Sequence, residues 1–270
     1  MKNIVTPPDS KKVVSFLKEN GYILLDRFVN QSTLERLTED FDRVFNSIPD
    51  RAQTKMDYPS RLEQAGTYSP GKHCCIQRPA YVNFPSLLDI FNKPFFRDVV
   101  TGYCGPSADF MLQTFMSHDY LRCESQEEIS RSNWLHWDPY PSLKFFVYLT
   151  DVVPGAAATH FIPGSRSYGR KYRMKTSLTD HSGWQGGCRH RLEDWQGIPE
   201  YTNRDAKPVH VKAGTLLIFD TDSLHFGSTP TVPDKERKVV IVHNRPHNLQ
   251  MPRHPDTLIQ EQINECLFAD

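Results

Sequence analysis

The stretch LHWDPYPS, Leu135 to Ser142, sets a histidine and an aspartate two positions apart among aromatic residues. Side chains alternate along a strand, so on a strand His136 and Asp138 face one way and Trp137 the other. Two readings of the pair stand side by side: a buried imidazole satisfied by a neighbouring carboxylate, or two ligands of a metal ion. Imidazole nitrogen and carboxylate oxygen together suit a borderline divalent ion such as Fe(II). Two ligands alone hold an ion weakly. A second histidine, brought in by the fold, would complete a facial triad and leave coordination positions open for reactants. A His-x-Asp pair is short enough to arise by chance, so the rest of the chain decides.

The run GTLLIFDTDSLHFGSTPT supplies a candidate third ligand. Two β-like stretches are joined there by a polar turn, and His225 begins the second. Twelve positions later Arg237 opens RKVVIVHN. A planar guanidinium can bind both oxygens of a carboxylate. A histidine and an arginine on successive strands can point into one interior, and Ser228 can offer its hydroxyl to the same carboxylate. The other histidines read as ordinary satisfied polar groups: His160 lies in a strand run, and His243 and His247 flank a strand end.

These residues need elements to hold them. The helical pattern of SKKVVSFLKENG puts Val13, Phe16 and Leu17 on one face, with Gly21 placed to end the helix. YILLDRF reads as a strand. STLERLTEDFDRVF carries Leu34, Leu37, Phe41 and Val44 on one face and opens on a capping box, Ser32 with Glu35. Residues 47–83 read as a long loop region, and FPSLLDIFN and PFFRDVVTGYCG as two short helices. From about residue 108, short β-branched and aromatic runs punctuated by Gly, Pro, Asp and Asn suggest an antiparallel sandwich or barrel. An insertion over about 168–206 interrupts the strands, and DTLIQEQINECLF looks helical.

Composition narrows the function classes. Lys+Arg and Asp+Glu are 32 each in 270 residues, a balance that favours neither a nucleic-acid nor a membrane partner. No apolar run approaches the ~20 residues of a membrane helix, and MKNIVTPPDSKKVVSF lacks the apolar core of a signal peptide. The six cysteines are scattered without a CxxC pair, so they read as free thiols in a reducing compartment, and a cytoplasmic location follows.

In this setting the chain resembles the phytanoyl-CoA dioxygenase (PhyH-like) family of Fe(II)- and 2-oxoglutarate-dependent oxygenases. ENGYILLDRFVNQSTLERL resembles the family's opening strand and helix. HWD, LTDVVPG, FIPGSRSYG and GTLLIFDTDSLHFGS followed by RK recur in the family's order. The resemblance covers most of the chain. It implies one mostly-β domain over residues 1–270, a double-stranded β-helix (a cupin-like jelly roll) with flanking helices. The helical part would span about 1–105, the jelly-roll core about 106–250, and the insertion would form a lid. It implies that His136, Asp138 and His225 bind iron and form the catalytic centre. Arg237 would grip the distal carboxylate of 2-oxoglutarate, with Ser228 beside it. Gln113 lies on the strand before the His-x-Asp loop, where related enzymes place a glutamine, at a longer spacing here. Lys144 is either a second carboxylate contact or a solvated edge lysine, the edge reading being preferred. Two departures from the family pattern stand out: Arg166 follows PGS where a histidine is usual, and the turn from His225 to Arg237 is one residue longer.

The implied cofactors are Fe(II), 2-oxoglutarate as cosubstrate and O2, with ascorbate as a reductant. The implied reaction is oxidative decarboxylation to succinate and carbon dioxide, coupled to oxidation of an unactivated C–H bond in a small molecule. Related halogenases carry a small residue at the carboxylate position, so Asp138 favours hydroxylation, with desaturation, ring closure and epimerisation open. Arg166, Arg170, Lys171, Arg173, Lys175, Arg189 and Arg191 could bind an anionic substrate, but a solvated loop balanced by Asp180, Glu193 and Asp194 is preferred. Trp184, Trp195, Tyr58 and Tyr68 either line a pocket or pin loops. Acyl thioesters, amino acids, sugars, secondary metabolites and a protein side chain all remain as substrates, because fold and motif do not choose. Two other classes remain beside the oxygenase: a zinc or manganese cupin-type isomerase, and a catalytically silent binding protein.

Overall fold

The computed structural model describes residues 8–46, 55–58, 71–76, 78–120, 135–138, 141–171 and 200–246. Four helices precede most of the strands: α1 (Ser10–Asn20), α2 (Gln31–Asn46), α3 (Pro85–Phe91) and α4 (Pro94–Cys104). The strands are β1 (Tyr22–Leu25), β2 (Lys55–Tyr58), β3 (Gly71–Ile76), β4 (Asp109–Tyr120), β5 (Leu143–Tyr148), β6 (Thr159–Phe161), β7 (Lys207–Pro208), β8 (Leu216–Asp220), β9 (His225–Gly227) and β10 (Glu236–Arg245).

The helices follow the expected pattern with two local differences. Gly21 ends α1 in the left-handed region at φ 83°, its N–H bonded to Leu17 O. A Cβ there would also lie 2.1 Å from Ser223 Oγ, so glycine is required by conformation and by space. Phe16, expected on the buried face with Val13 and Leu17, is 45% exposed. The cap of α2 is Asn30, not Ser32. Asn30 Oδ1 accepts from Thr33 N at 3.0 Å and from the Ser32 hydroxyl at 2.8 Å, and Glu35 accepts from Gln31. Asn30 lies one residue before the helix and three before Thr33, which is the reach an N-cap needs.

Seven strands form one sheet in the order β1-β8-β5-β10-β4-β3-β2, and three form a second in the order β7-β6-β9. Every pair is antiparallel except β2 with β3. The expected loop over 47–83 therefore carries the edge of the large sheet. Its signal was masked by polar and turn residues, which an edge strand tolerates because only one side is paired. NWLHWDPY contributes a single bridge, His136 with His225, and no extended strand among its described residues.

Alternation divides the large sheet into two apolar faces. Phe145, Val147, Leu216, Ile218, Val240 and Val242 point to the helices and pack with Leu37, Phe41, Phe91 and Phe96. Phe146, Tyr148, Leu217, Phe219, Val239 and Ile241 point the other way, to Phe161 of the small sheet. The helices thus cover one face, and the small sheet covers the other. The C-terminal helix expected in DTLIQEQINECLF and most of the 168–206 insertion, including Trp184 and Trp195, lie outside the described residues, as do Tyr68 and His247.

If Asn30 rather than Ser32 caps α2, Asn30→Ala should lower unfolding stability by about 1 kcal/mol while Ser32→Ala changes it far less. Urea titration of both variants measures the difference.

Candidate metal centre

His136 and His225 exchange both backbone hydrogen bonds, N to O at 2.9 Å in each direction. This bridge places their rings 4.4 Å apart at 48°. Asp138 is held separately, its N–H donating to Thr221 O at 3.0 Å, and Thr221 N donates to Ser142 O. The His-x-Asp loop and the turn before His225 are therefore sewn together by main chain. Asp138 Oδ1 lies 3.8 Å from His136 Nε2 and 3.6 Å from His225 Nε2. One ligand atom from each residue falls within 4.8 Å of the others, a spacing that could hold a metal ion. His225 Nδ1 is 2.7 Å from Ser223 O, which assigns the proton to Nδ1 and leaves Nε2 as the ligating nitrogen. Trp137 points away into a separate apolar cluster with Leu135, Ile162, Leu224 and Phe226.

The turn leading to His225 is clamped from two sides. Ser165 donates to Ile162 O at 2.7 Å and accepts from Leu224 N at 2.8 Å. Gly169 lies so close that a Cβ would meet Asp222 O at 1.7 Å. These contacts give FIPGSRSYG its structural role. Asp220 accepts from Tyr103 Oη and from Arg166 Nε, each at 2.5 Å. Burial raises the Asp220 carboxyl, and Asp222 adds to the rise, while Arg166 opposes both. Arg166 is thus committed to Asp220 and is not a free cation of a substrate-binding cluster. Arg173, Lys175, Arg189 and Arg191 lie outside the described residues.

Lys144 is the main correction to the site. Its strand is third in the seven-strand order, flanked by β8 and β10, so it is no edge lysine. The Lys144 side chain is 14% exposed, and Nζ lies 2.5 Å from Asp138 Oδ2. Burial alone would raise the Asp138 carboxyl. The Lys144 ammonium, the two imidazoles and the Lys144 hydrogen bond outweigh it and hold the group far below the usual carboxylate range.

Arg237 lies on the same inward face of β10 as Val239 and Ile241. Its register partner on β4 is Asp119. Asp119 Oδ2 accepts from Arg237 Nε at 2.9 Å and lies 2.8 Å from Nη2. Arg237 Nη1 donates to Thr159 Oγ1 at 3.1 Å, and Ser117 donates to the same Asp119 oxygen at 2.9 Å. A guanidinium has five N–H groups. Among the described residues these contacts leave one N–H on each terminal nitrogen. Gly227, two residues beyond His225, lies beneath Nη2: a Cβ on it would be 4.0 Å away. Ser228 donates its hydroxyl to Ala158 O at 2.9 Å, so its proton is already given to backbone.

Gln113 and Lys144 are the β4 and β5 register partners of His243 on β10. His243 departs from expectation, since it lies within the strand and its buried Nδ1 has no hydrogen-bond partner among the described residues. Burial and then the Lys144 charge push its pKa well down, so it is neutral. His160 matches expectation: Nδ1 lies 3.1 Å from Ala158 O and the ring stacks on Phe226. Asp119 and Thr159 were missed by sequence reasoning. The available signal was alternation in DFMLQTFMSHDY, which puts Gln113, Phe115, Ser117 and Asp119 on one face.

Residues 130–239 match the family model of phytanoyl-CoA dioxygenase (PhyH). No curated protein sequence matches the chain. Among solved structures, the epimerase SnoN in complex with Fe3+, alpha ketoglutarate and nogalamycin RO is similar at 12% identity and TM-score 0.57, covering 90% of each chain. HygX from Streptomyces hygroscopicus with nickel and 2-oxoglutarate bound is similar at 12% identity and TM-score 0.56, covering 92% of this chain and 91% of that one. The alpha ketoglutarate dependent carbocyclase SnoK from nogalamycin biosynthesis is 15% identical at TM-score 0.52, covering 90% of this chain and 88% of that one. At these identities the likeness is one of fold. The segment that matches the phytanoyl-CoA dioxygenase (PhyH) model, residues 130–239, contains both histidines, the aspartate and Arg237.

Proposed function

We propose that the protein is an Fe(II)- and 2-oxoglutarate-dependent dioxygenase that hydroxylates an unactivated C–H bond of a small molecule. The observation that carries this is the convergence of His136, Asp138 and His225 within 4.8 Å, inside the family segment. Two imidazoles and one ionised carboxylate form the donor set of a facial triad, which suits Fe(II) and leaves positions for reactants. When bound, the iron supplies the oxidation of the C–H bond at the expense of 2-oxoglutarate and O2. The residues supply position. Asp138 and the two Nε2 atoms hold the ion, the Ser223 carbonyl fixes the His225 tautomer, and Arg237 receives the distal carboxylate with its end-on edge. Ser228 and Gln113 belong to the cosubstrate pocket in this reading, Ser228 as a hydroxyl acceptor while its proton serves Ala158 O.

The reading includes a jelly-roll closure of the two sheets, one domain over residues 1–270, a lid function for the 168–206 insertion, ascorbate as reductant and a cytoplasmic setting. No described helix is long and apolar enough to cross a membrane. The similar structures include an epimerase and a carbocyclase, so epimerisation and ring closure are the alternative outcomes of the same site. A zinc or manganese isomerase would have no use for the end-on edge of Arg237.

Purified protein given Fe(II), ascorbate, air and 2-oxoglutarate should form succinate slowly without added substrate, and Asp138→Ala should form none. Absence of turnover in the wild type, together with no anaerobic binding of 2-oxoglutarate in the presence of Fe(II), would sink the reading. Arg237 gives a separate check. Its truncation alone would take the guanidinium partner from the buried Asp119, at a cost of about 3–5 kcal/mol, so the Asp119→Asn/Arg237→Gln double variant is the fair test. Loss of a charge-assisted hydrogen bond is worth about 1.5–3 kcal/mol. The KM for 2-oxoglutarate should therefore rise about 10–100-fold, while turnover with a 2-oxo acid lacking the distal carboxylate stays unchanged.

A further inference from the structure

Asp138 has two oxygens in different surroundings. Oδ1 faces both imidazoles, at 3.6 Å from His225 Nε2 and 3.8 Å from His136 Nε2. Oδ2 is taken by the Lys144 ammonium at 2.5 Å. Lys144 cannot easily leave. It sits on an interior strand, its neighbours in register are Phe219 on β8 and His243 on β10, and Nζ lies 5.8 Å from the Phe219 ring centre. The described carboxylate that pairs with Lys144 is Asp138.

We propose that Lys144 is a positioning residue that reserves Oδ2, so that Asp138 ligates a divalent ion through Oδ1 alone. The inference rests on the metal-site reading above. Carboxylates bind hard divalent ions through one oxygen or both. Chelation through both would consume a position that the cosubstrate or O2 needs. The ammonium prevents this by holding Oδ2 in a charge-assisted bond, at the cost of placing a cation near the ion. Lys144 is therefore neither a solvated lysine nor a contact for the distal carboxylate, which lies with Arg237 at the far end of β10.

This role differs from simple support of the fold in what it predicts for metal binding. A structural prop, once removed, loosens the ligand and weakens the ion by about 10–100-fold. A residue that blocks chelation, once removed, leaves the ion held at least as well but less hydrated. Mn(II) reports hydration through the relaxation of water protons, and a three-ligand octahedral site exposes about three exchangeable positions.

The experiment titrates Mn(II) into the wild type, Lys144→Met and Lys144→Arg without cosubstrate, reading affinity and water-proton relaxation per bound ion. The expected result is a fall in relaxation of about one third in Lys144→Met, the loss of about one position in three, with affinity equal or higher. Lys144→Arg should keep the wild-type value. Equal relaxation per bound ion in all three proteins would overturn the inference while leaving the metal site standing. Loss of Mn(II) binding by a folded Lys144→Met protein would overturn it too, in favour of a structural prop. Should Lys144→Met fail to fold, Lys144→Gln carries the same expectation of reduced hydration and decides the matter. A wild type that binds no Mn(II) would remove the metal reading itself and this inference with it.

Discussion

The two backbone hydrogen bonds exchanged by His136 and His225 at 2.9 Å are the constraint on which the site depends. They join the His-x-Asp loop to the start of β9, and so bring together side chains from distant parts of the chain. A single bridge is a weak join by itself. Its neighbourhood explains why it holds. Thr221 bonds to both Asp138 and Ser142 through main chain, Ser165 satisfies Leu224, and Gly21 O accepts from Asp220 N at 2.9 Å. Together these contacts hold Asp220, Thr221 and Leu224 in the turn before His225. Ligand geometry needs such support, because a side chain displaced by even a fraction of an ångström weakens an ion.

Charge is then arranged at the two ends of one strand face. At one end Asp138, its side chain 18% exposed, would be costly without a resident cation, since a largely desolvated ion carries a penalty that a nearby opposite charge offsets. Lys144 offsets that cost before any metal arrives. At the other end Asp119 does the same for Arg237. Between them lie Val239, Ile241, Phe146, Leu217 and Phe219, an apolar belt that keeps water away and strengthens both pairs. The site is thus pre-charged and largely preorganised, with donor atoms at one end and a guanidinium edge at the other. On the proposed reading, the two ends match a cosubstrate that carries a keto acid at one end and a carboxylate at the other.

Residue types and their spacing were legible in the sequence, and partners were not. The period-two runs of β4, β5, β8 and β10 and the helical stripes of α1 and α2 follow from local chemistry. The grouping of His136, Asp138 and His225 was legible because the HxD pair, a later histidine and an arginine are unusual types beside strands that otherwise bury Val, Ile and Phe. Lys144 was misread because edge or centre is decided by sheet order, and β5 gains its two neighbours from β8 and β10, far along the chain. Asp119 was missed for a related reason: its pairing with Arg237 exists only in the β4–β10 register. The cap of α2 was misassigned by two residues because Ser32 and Asn30 are both good caps, and only the helix start separates them.

The two ion pairs use their charges differently, and this bears on how the site would accept a dianionic cosubstrate. Lys144 spends its ammonium on the one oxygen of Asp138 that faces away from the imidazoles, so its charge is local to the metal end. Asp119 places one oxygen against Nε and Nη2, on the side of the guanidinium, and Thr159 takes a proton of Nη1. The guanidinium plane is fixed by these contacts, while one N–H on each terminal nitrogen is left outside them. A fixed plane loses little freedom when a second carboxylate arrives, which favours binding. The Asp119 charge works against that arrival, because a second anion shares the same cation. Geometry and charge therefore oppose one another at Arg237, and removing Asp119 alone trades one for the other. Only a change that removes the guanidinium and its resident carboxylate together isolates the contribution of the end-on edge.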